Sequence, residues 1–304
     1  YWWVKTGSAD ENSGEEGFAH FLEHMHFKDT DAKTTGSAST GKLAQAVESL
    51  GGDINAYTSF DQTVYHVTCA EQHWEKVLDE FGKMAQPQRF LRDDFERERE
   101  VILEELRRTQ DSPGRQLFQE LFTAVYSRHP YGRPVIGYAK TLKAATVKEL
   151  EAFYRREYVS RNMGLILVGP LDEPQGGRQK NLLRILERRF GKKILHDRSL
   201  PKRKPRPIEP ALRAEMKLLA LPFDVKNPSA IVAFRVPGLR HSDIQALDLI
   251  AGVLGMGESA RLYRKLFYEL GGVADISGSL YVPSDPGIIY FQFDAETTLK
   301  IPSA

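Results

Sequence analysis

The sequence predicts an α+β fold: two related sandwich-like units, each a mostly antiparallel sheet with helices on one face, the second unit unfinished at its C-terminal side. Three observations carry this. Strand-like and helix-like segments do not alternate strictly, because neighbouring helices and neighbouring strands both occur, which argues against a doubly wound parallel sheet. A stretch rich in proline and basic residues divides the chain. On either side of it lies the same mixture of short alternating strands and amphipathic helices. The predicted organisation is therefore residues 1–190 as a first α+β domain, 191–212 as a Pro/basic linker and 213–304 as a second, truncated domain of the same type.

Taken in order, residues 1–6 are strand-like, and residues 15–27 read as a helix that is apolar nearly all round. Residues 41–50 have helical spacing at Leu43, Val47 and Leu50. After Gly51-Gly52 come strands at 54–57 and 63–68, where Val64, His66 and Thr68 alternate. Residues 72–85 and 91–110 are helical, the latter long and heavily charged, and 113–127 continues as helix. A helix at 147–157 precedes a strand at 164–168, and 182–190 is the last helix of this half. Beyond the linker, strands are expected near 215–221, 230–236 and 288–293, with helices at 244–254 and 259–270.

Composition narrows the function classes. Of 304 residues 41% are apolar and 27% charged, a globular balance. Forty-two Lys+Arg against 41 Asp+Glu leave a formal charge of +1, so no overall field favours nucleic acid or anionic lipid. No apolar run approaches the ~18–20 residues of a membrane span. The single cysteine, Cys69, excludes an intrachain disulfide or a cysteine-rich metal site and reads as a small core residue. Arg198, Lys202, Arg203, Lys204 and Arg206 form the one basic cluster, but no aromatic lies among them for base stacking. A stiff, solvated linker is the simpler reading. The chain opens on Tyr1-Trp2-Trp3-Val4 without an initiator Met or leader, and both ends read as cut, so the sequence predicts no compartment.

Chemistry concentrates at His20-Phe21-Leu22-Glu23-His24. On a helix, positions i and i+4 lie about 40° apart, so both imidazoles leave one face and can share a zinc ion. Glu23 falls beside the metal position, free to hold a water. Phe18, Ala19, Phe21, Leu22, Met25 and Phe27 make this helix buried, and buried imidazoles and carboxylates need partners. Two core histidines bonded to backbone would be the bland alternative. A catalytic zinc takes three protein ligands and keeps one position open. Residues 91–110 offer a candidate: at about 100° per residue, Leu91, Phe95, Val101, Ile102 and Leu106 form an apolar face that also takes in Glu98 and Glu105. Glu96, Glu100 and Glu104 fall on the solvent side. Two inward glutamates call for positive charge, from a metal or from arginines.

The residues Gly17-Phe18-Ala19-His20-Phe21-Leu22-Glu23-His24-Met25, preceded by Gly7-Ser8-Ala9-Asp10-Glu11, resemble the signature of the pitrilysin/insulinase metallopeptidases. These are inverted zincins, and the likeness is closest to their processing-peptidase-like branch. It continues through Gly51-Gly52-Asp53-Ile54-Asn55-Ala56-Tyr57-Thr58-Ser59 and Glu96-Arg97-Glu98-Arg99-Glu100-Val101-Ile102-Leu103-Glu104-Glu105. It reappears at His129-Pro130-Tyr131, Pro134-Val135-Ile136-Gly137, Leu254-Gly255-Met256-Gly257 and Ser259-Ala260-Arg261-Leu262.

The resemblance implies a zinc-dependent endopeptidase acting on extended peptides or unfolded segments. His20, His24 and Glu105 would be the ligands of one zinc per chain, and Glu23 the general base. Glu98 would be the carboxylate behind a histidine ligand, and Asn55, Ala56, Tyr57 and Thr58 the edge strand that pairs with substrate. The span from His24 to Glu105 is longer than usual, attributed to extra residues around positions 31–40, and Asp29 stands where a glycine is usual. Phe267 and Ala274 occupy the places of an Arg and a Tyr, seven apart, that address the substrate carbonyl. A homologous partner subunit is therefore expected to supply that pair. The rival expectation is a non-catalytic assembly subunit of the same fold. Among the other candidates, His26 points away from the site, His66 is a packed or surface residue, and His129 caps a turn before Pro130.

Overall fold

The structure is a computed structural model that describes residues 1–28, 42–85, 87–170, 177–191, 199–203, 205–210 and 216–296. Asp29 and the extra residues at 31–40 lie outside the described residues, as do 192–198. The elements run β1 (Trp2–Val4), α1 (Phe18–His26), α2 (Lys42–Glu48), β2 (Asp53–Thr58), β3 (Thr63–Thr68), α3 (Trp74–Met84), α4 (Arg92–Gln110) and α5 (Pro113–Val125). They continue with α6 (Ala139–Ala144), α7 (Val147–Glu157), β4 (Met163–Leu165), α8 (Gly177–Phe190), β5 (Ser229–Val236), α9 (Ile244–Gly255), α10 (Arg261–Tyr263), β6 (Val273–Tyr281) and β7 (Gly287–Ala295). After α10 the chain continues as a π-helical stretch, Arg264–Glu269.

The chain forms two compact units, residues 1–106 with 133–206 and residues 107–132 with 207–304. Residues 107–132, expected with the first domain, cluster with the second unit. In the second unit Phe118 packs on Tyr290 and Phe122 on Tyr281, so aromatic burial draws α5 to the sheet of β5–β7.

The first unit holds an antiparallel sheet in the order β2-β3-β1-β4. Alternation along β1 sends Trp2 and Val4 inward while Trp3 is 38% exposed, so the helices cover one face. That face meets α1 through Phe18, Phe21, Leu22 and Met25, and α4 through Phe95, Ile102 and Leu106. Trp2 stacks on Tyr65 and Phe21 on Phe95, ring centres 4.8 and 4.7 Å apart. Leu91 and Val101, expected on the apolar face of α4, are exposed at its margin.

Arg203 and Arg206 are not solvated linker residues. Arg203 donates to Thr6 Oγ1 at 2.8 Å and Glu157 Oε2 at 3.0 Å. Arg206 donates to Asp61 Oδ1 at 2.6 Å and Asp10 Oδ1 at 2.9 Å. Asp10 and Glu157 are carboxylates with buried side chains, and an ion of that kind needs a partner.

The second unit holds the antiparallel sheet β5-β7-β6 with α9 packed on β6 and β7. The strand expected at 215–221 is absent over its described residues, where Met216, Leu218 and Leu219 are exposed and no sheet edge takes them. Strand β6 escaped the sequence reading because Gly278 and its serine neighbours dilute the pattern. A Cβ at Gly278 would lie 2.9 Å from Gly255 Cα, so the glycine is what lets α9 lie against the sheet. Cys69 is half-buried rather than a core residue. No helix among the described residues is long and apolar enough to cross a membrane.

Candidate metal centre

Helix α1 starts at Phe18, later than periodicity suggests, because Gly17 adopts φ +101°, a conformation that disfavours side chains. Its first turn is capped from a distance. The buried Glu11 carboxylate accepts from Gly17 N at 3.0 Å and Ala19 N at 2.8 Å. Burial, the largest influence on Glu11, pushes its pKa well up, with these bonds acting against it.

From this helix His20 and His24 project together, their rings 4.7 Å apart and steeply inclined. Helix α4 brings up the carboxylates. Glu105 Oε2 lies 3.7 Å from His20 Nε2 and 3.5 Å from His24 Nε2. One donor atom from each of these three residues lies within 4.8 Å of the other two. Tetrahedral zinc with bonds of ~2.0–2.1 Å needs donor atoms roughly 3.3–3.5 Å apart, close to the two Glu105–imidazole separations, so two imidazoles and one carboxylate here fit a three-ligand site. His20 Nδ1 is buried without a hydrogen-bond partner among the described residues.

Behind His24, Glu98 is buried; its Oε2 lies 3.1 Å from His24 Nδ1 and its Oε1 2.7 Å from Lys28 Nζ. Burial raises the Glu98 pKa, but the bonds to His24 and Lys28 outweigh it and hold the carboxyl below its usual range. Burial disfavours the charged form of His24 as well, yet Glu105 and Glu98 carry its pKa up to about 9. His20, held down first by burial and then by His24, stays neutral.

Glu23 lies beside the cluster, and its Oε2 accepts from Thr58 Oγ1 at 2.5 Å. Burial raises the Glu23 pKa, with Thr58 and His24 acting against it. Thr58 ends β2, which is an edge strand among the described residues. On that strand Asn55 and Tyr57 are exposed and Ala56 is half-buried. Asn55 Oδ1 accepts from Ala56 N at 2.9 Å.

Of the residues singled out in the sequence, His20, His24 and Glu105 come together, Glu98 stands behind His24, and Glu23 stands at the side with Thr58. Glu105 is less enclosed than its helical phase suggests, with 42% of its side chain exposed. Sequence reasoning missed Lys28, although its i+4 spacing from His24 was a usable signal. It also missed the cap from Glu11, which no spacing rule announces. His26 faces away, buried among Trp2, Tyr65, Tyr154 and Tyr158. His66 stacks on Tyr1, and His129 Nδ1 accepts from Tyr131 N at 3.3 Å in the expected turn.

Comparison with known proteins divides the chain elsewhere, near residue 140. Residues 2–139 match the family model described as Insulinase (Peptidase family M16), and residues 144–303, over half the chain, match that described as Peptidase M16 inactive domain. The chain belongs to peptidase family M16. Within the family it is similar to an uncharacterized zinc protease of Mycobacterium leprae, 29% identical over 94% of this chain and 62% of that protein. It is similar also to zinc protease PqqE of Helicobacter pylori, 29% identical over 86% of this chain and 56% of that protein. Among solved M16-type structures, a protease from Helicobacter pylori superposes with a TM-score of 0.84 at 27% identity, covering 98% of this chain and 70% of that one. The chain therefore spans about three fifths of the length of the curated relatives it matches.

Proposed function

We propose that the chain is the zinc-bearing part of a metalloendopeptidase of the inverted-zincin type. The observation that supports this most is the convergence of His20, His24 and Glu105 donor atoms within 4.8 Å, with the Glu23 carboxylate alongside. These three side chains would hold one zinc ion per chain. Zinc there supplies Lewis acidity, polarising a peptide carbonyl and making water acidic enough to ionise near neutral pH.

The remaining work belongs to the protein. Glu23 accepts a proton from the attacking water at its carboxylate and passes it to the departing amine nitrogen. Glu98 accepts from His24 Nδ1–H, which fixes the tautomer and leaves Nε2 facing Glu105 and the site. The edge of β2 at Asn55, Ala56, Tyr57 and Thr58, unpaired among the described residues, pairs with substrate backbone, which selects extended or unfolded peptides over folded ones. A homologous partner subunit completes the site with an Arg and a Tyr, because Phe267 and Ala274 stand in those places here.

Glu23→Gln tests the assignment: the variant keeps zinc and loses turnover of a quenched fluorogenic peptide, and a wild-type rate would refute the base assignment. A second reading, a non-catalytic scaffold of the same fold, draws on the match of residues 144–303 to the inactive-domain model. Absence of stoichiometric zinc in the purified protein favours that reading.

A further inference from the structure

The segment Gly7-Ser8-Ala9-Asp10-Glu11, which the proposed chemistry leaves without a task, touches both ends of one hydrogen bond's support. At one end, Ser8 N donates to Ser59 O at 3.0 Å and Ala9 N to Phe60 O at 2.9 Å, clamping the turn that follows Thr58. The approach is so close that a Cβ on Gly7 would lie 2.3 Å from Ser59 O. That turn is also closed by Ser59 N donating to Gln62 O at 2.8 Å, sealed by buried Phe60, and tied through Asp61 to Arg206, which also holds Asp10. At the other end, Glu11 caps the helix that carries Glu23. One short segment thus fixes both the strand end that presents the Thr58 hydroxyl and the helix that presents the Glu23 carboxylate.

We infer that Thr58 is a positioning residue for Glu23: its hydroxyl donates to Oε2, fixes the plane of the carboxylate and leaves Oε1 directed to the reacting water. The inference rests on the reading of Glu23 as general base. Because Thr58 also ends the strand proposed to pair with substrate, the group that aims the base and the backbone that aligns the peptide are parts of one antiparallel hairpin. A base held in one orientation acts on a water already in place, whereas a rotating carboxylate spends most of its time misaligned.

The test uses the full-length zinc-loaded protein, together with its partner subunit if the chain alone is inactive, and a quenched fluorogenic peptide. Thr58→Val replaces the hydroxyl by a methyl of similar size. It is expected to lower kcat about ten- to a hundred-fold, with KM within about twofold and zinc content unchanged. Thr58→Ser, which keeps the hydroxyl, is expected to stay within about threefold of wild type. Combined with Glu23→Gln, the valine substitution should have no further effect, since the residue it serves is gone. A readout independent of turnover is the crystal structure of each protein: one Glu23 rotamer in wild type and the serine variant, a rotated or divided carboxylate in the valine variant. If the valine variant does not fold, Thr58→Ala is read in the same way. A valine variant with wild-type kcat, a loss confined to KM, or an unmoved Glu23 overturns the inference. Were Glu23→Gln itself fully active, the reading of the base would fail first, and the crystallographic comparison would still decide whether Thr58 holds the carboxylate.

Discussion

Removing the Glu98 side chain is the sharpest test of how the metal centre is supported. Glu98 lies 3.1 Å from His24 Nδ1 and 2.7 Å from Lys28 Nζ. In Glu98→Ala the His24 ring loses the acceptor that fixes its tautomer and orientation, an effect generally worth 10–100-fold in metal affinity, or about 1.4–2.7 kcal/mol. The upper part of that range is expected here, for two reasons. Only 9% of the Glu98 side chain is exposed, so water does not readily replace it. Lys28 Nζ moreover loses the carboxylate oxygen it meets at 2.7 Å. Glu98→Gln retains an acceptor but not the charge and should fall between alanine and wild type. Glu100, exposed on the same helix, provides the control, with Glu100→Ala expected within twofold of wild type. The assay is competition for zinc against a chelator of known affinity at fixed pH, with Glu105→Ala as the variant that loses a ligand outright. The reasoning is refuted if Glu98→Ala holds zinc within twofold of wild type while Glu105→Ala does not.

Two further outcomes concern the scaffold. Gly7→Ala meets no φ strain, since Gly7 sits at φ −137°, but its methyl would collide with backbone atoms of the 59–60 turn at 2.3–2.5 Å. Such overpacking costs about 1–3 kcal/mol and lowers the melting temperature by about 2–4 °C per kcal/mol, whereas Gly164→Ala, with open space around it, should melt like wild type. In the second unit, burial works against ionised Glu209, yet bonds from Ser127, His129 and Arg128 hold its pKa at about 2. A depressed carboxyl pKa stabilises above the unfolded value near 4.5, and that gain disappears as pH falls toward 2. Thermal melts of wild type and Glu209→Ala should therefore differ at pH 7 and converge near pH 2; a gap that widened on acidification would contradict this.

What the sequence determines alone is what repeats within a few residues. The i, i+4 histidines, the glutamate between them and the inward phase of Glu98 on a 19-residue helix follow from the 3.6-residue period, and each is visible without a partner. Where the local pattern is diluted, as in glycine- and serine-bearing β6, it says nothing, and only pairing with β7 along its length reveals the strand.

Tertiary structure decides which of these faces meet. That His24 bonds a carboxylate 74 residues away, that a threonine hydroxyl 35 residues from Glu23 reaches its carboxylate, and that two arginines of a seemingly solvated stretch answer Asp10, Asp61 and Glu157 depends on packing over long sequence separations. The physical reason is the range of the two kinds of force. Periodicity records how one element divides between water and core, whereas a hydrogen bond needs two atoms within about 3 Å, a match that only the finished packing of separate elements provides.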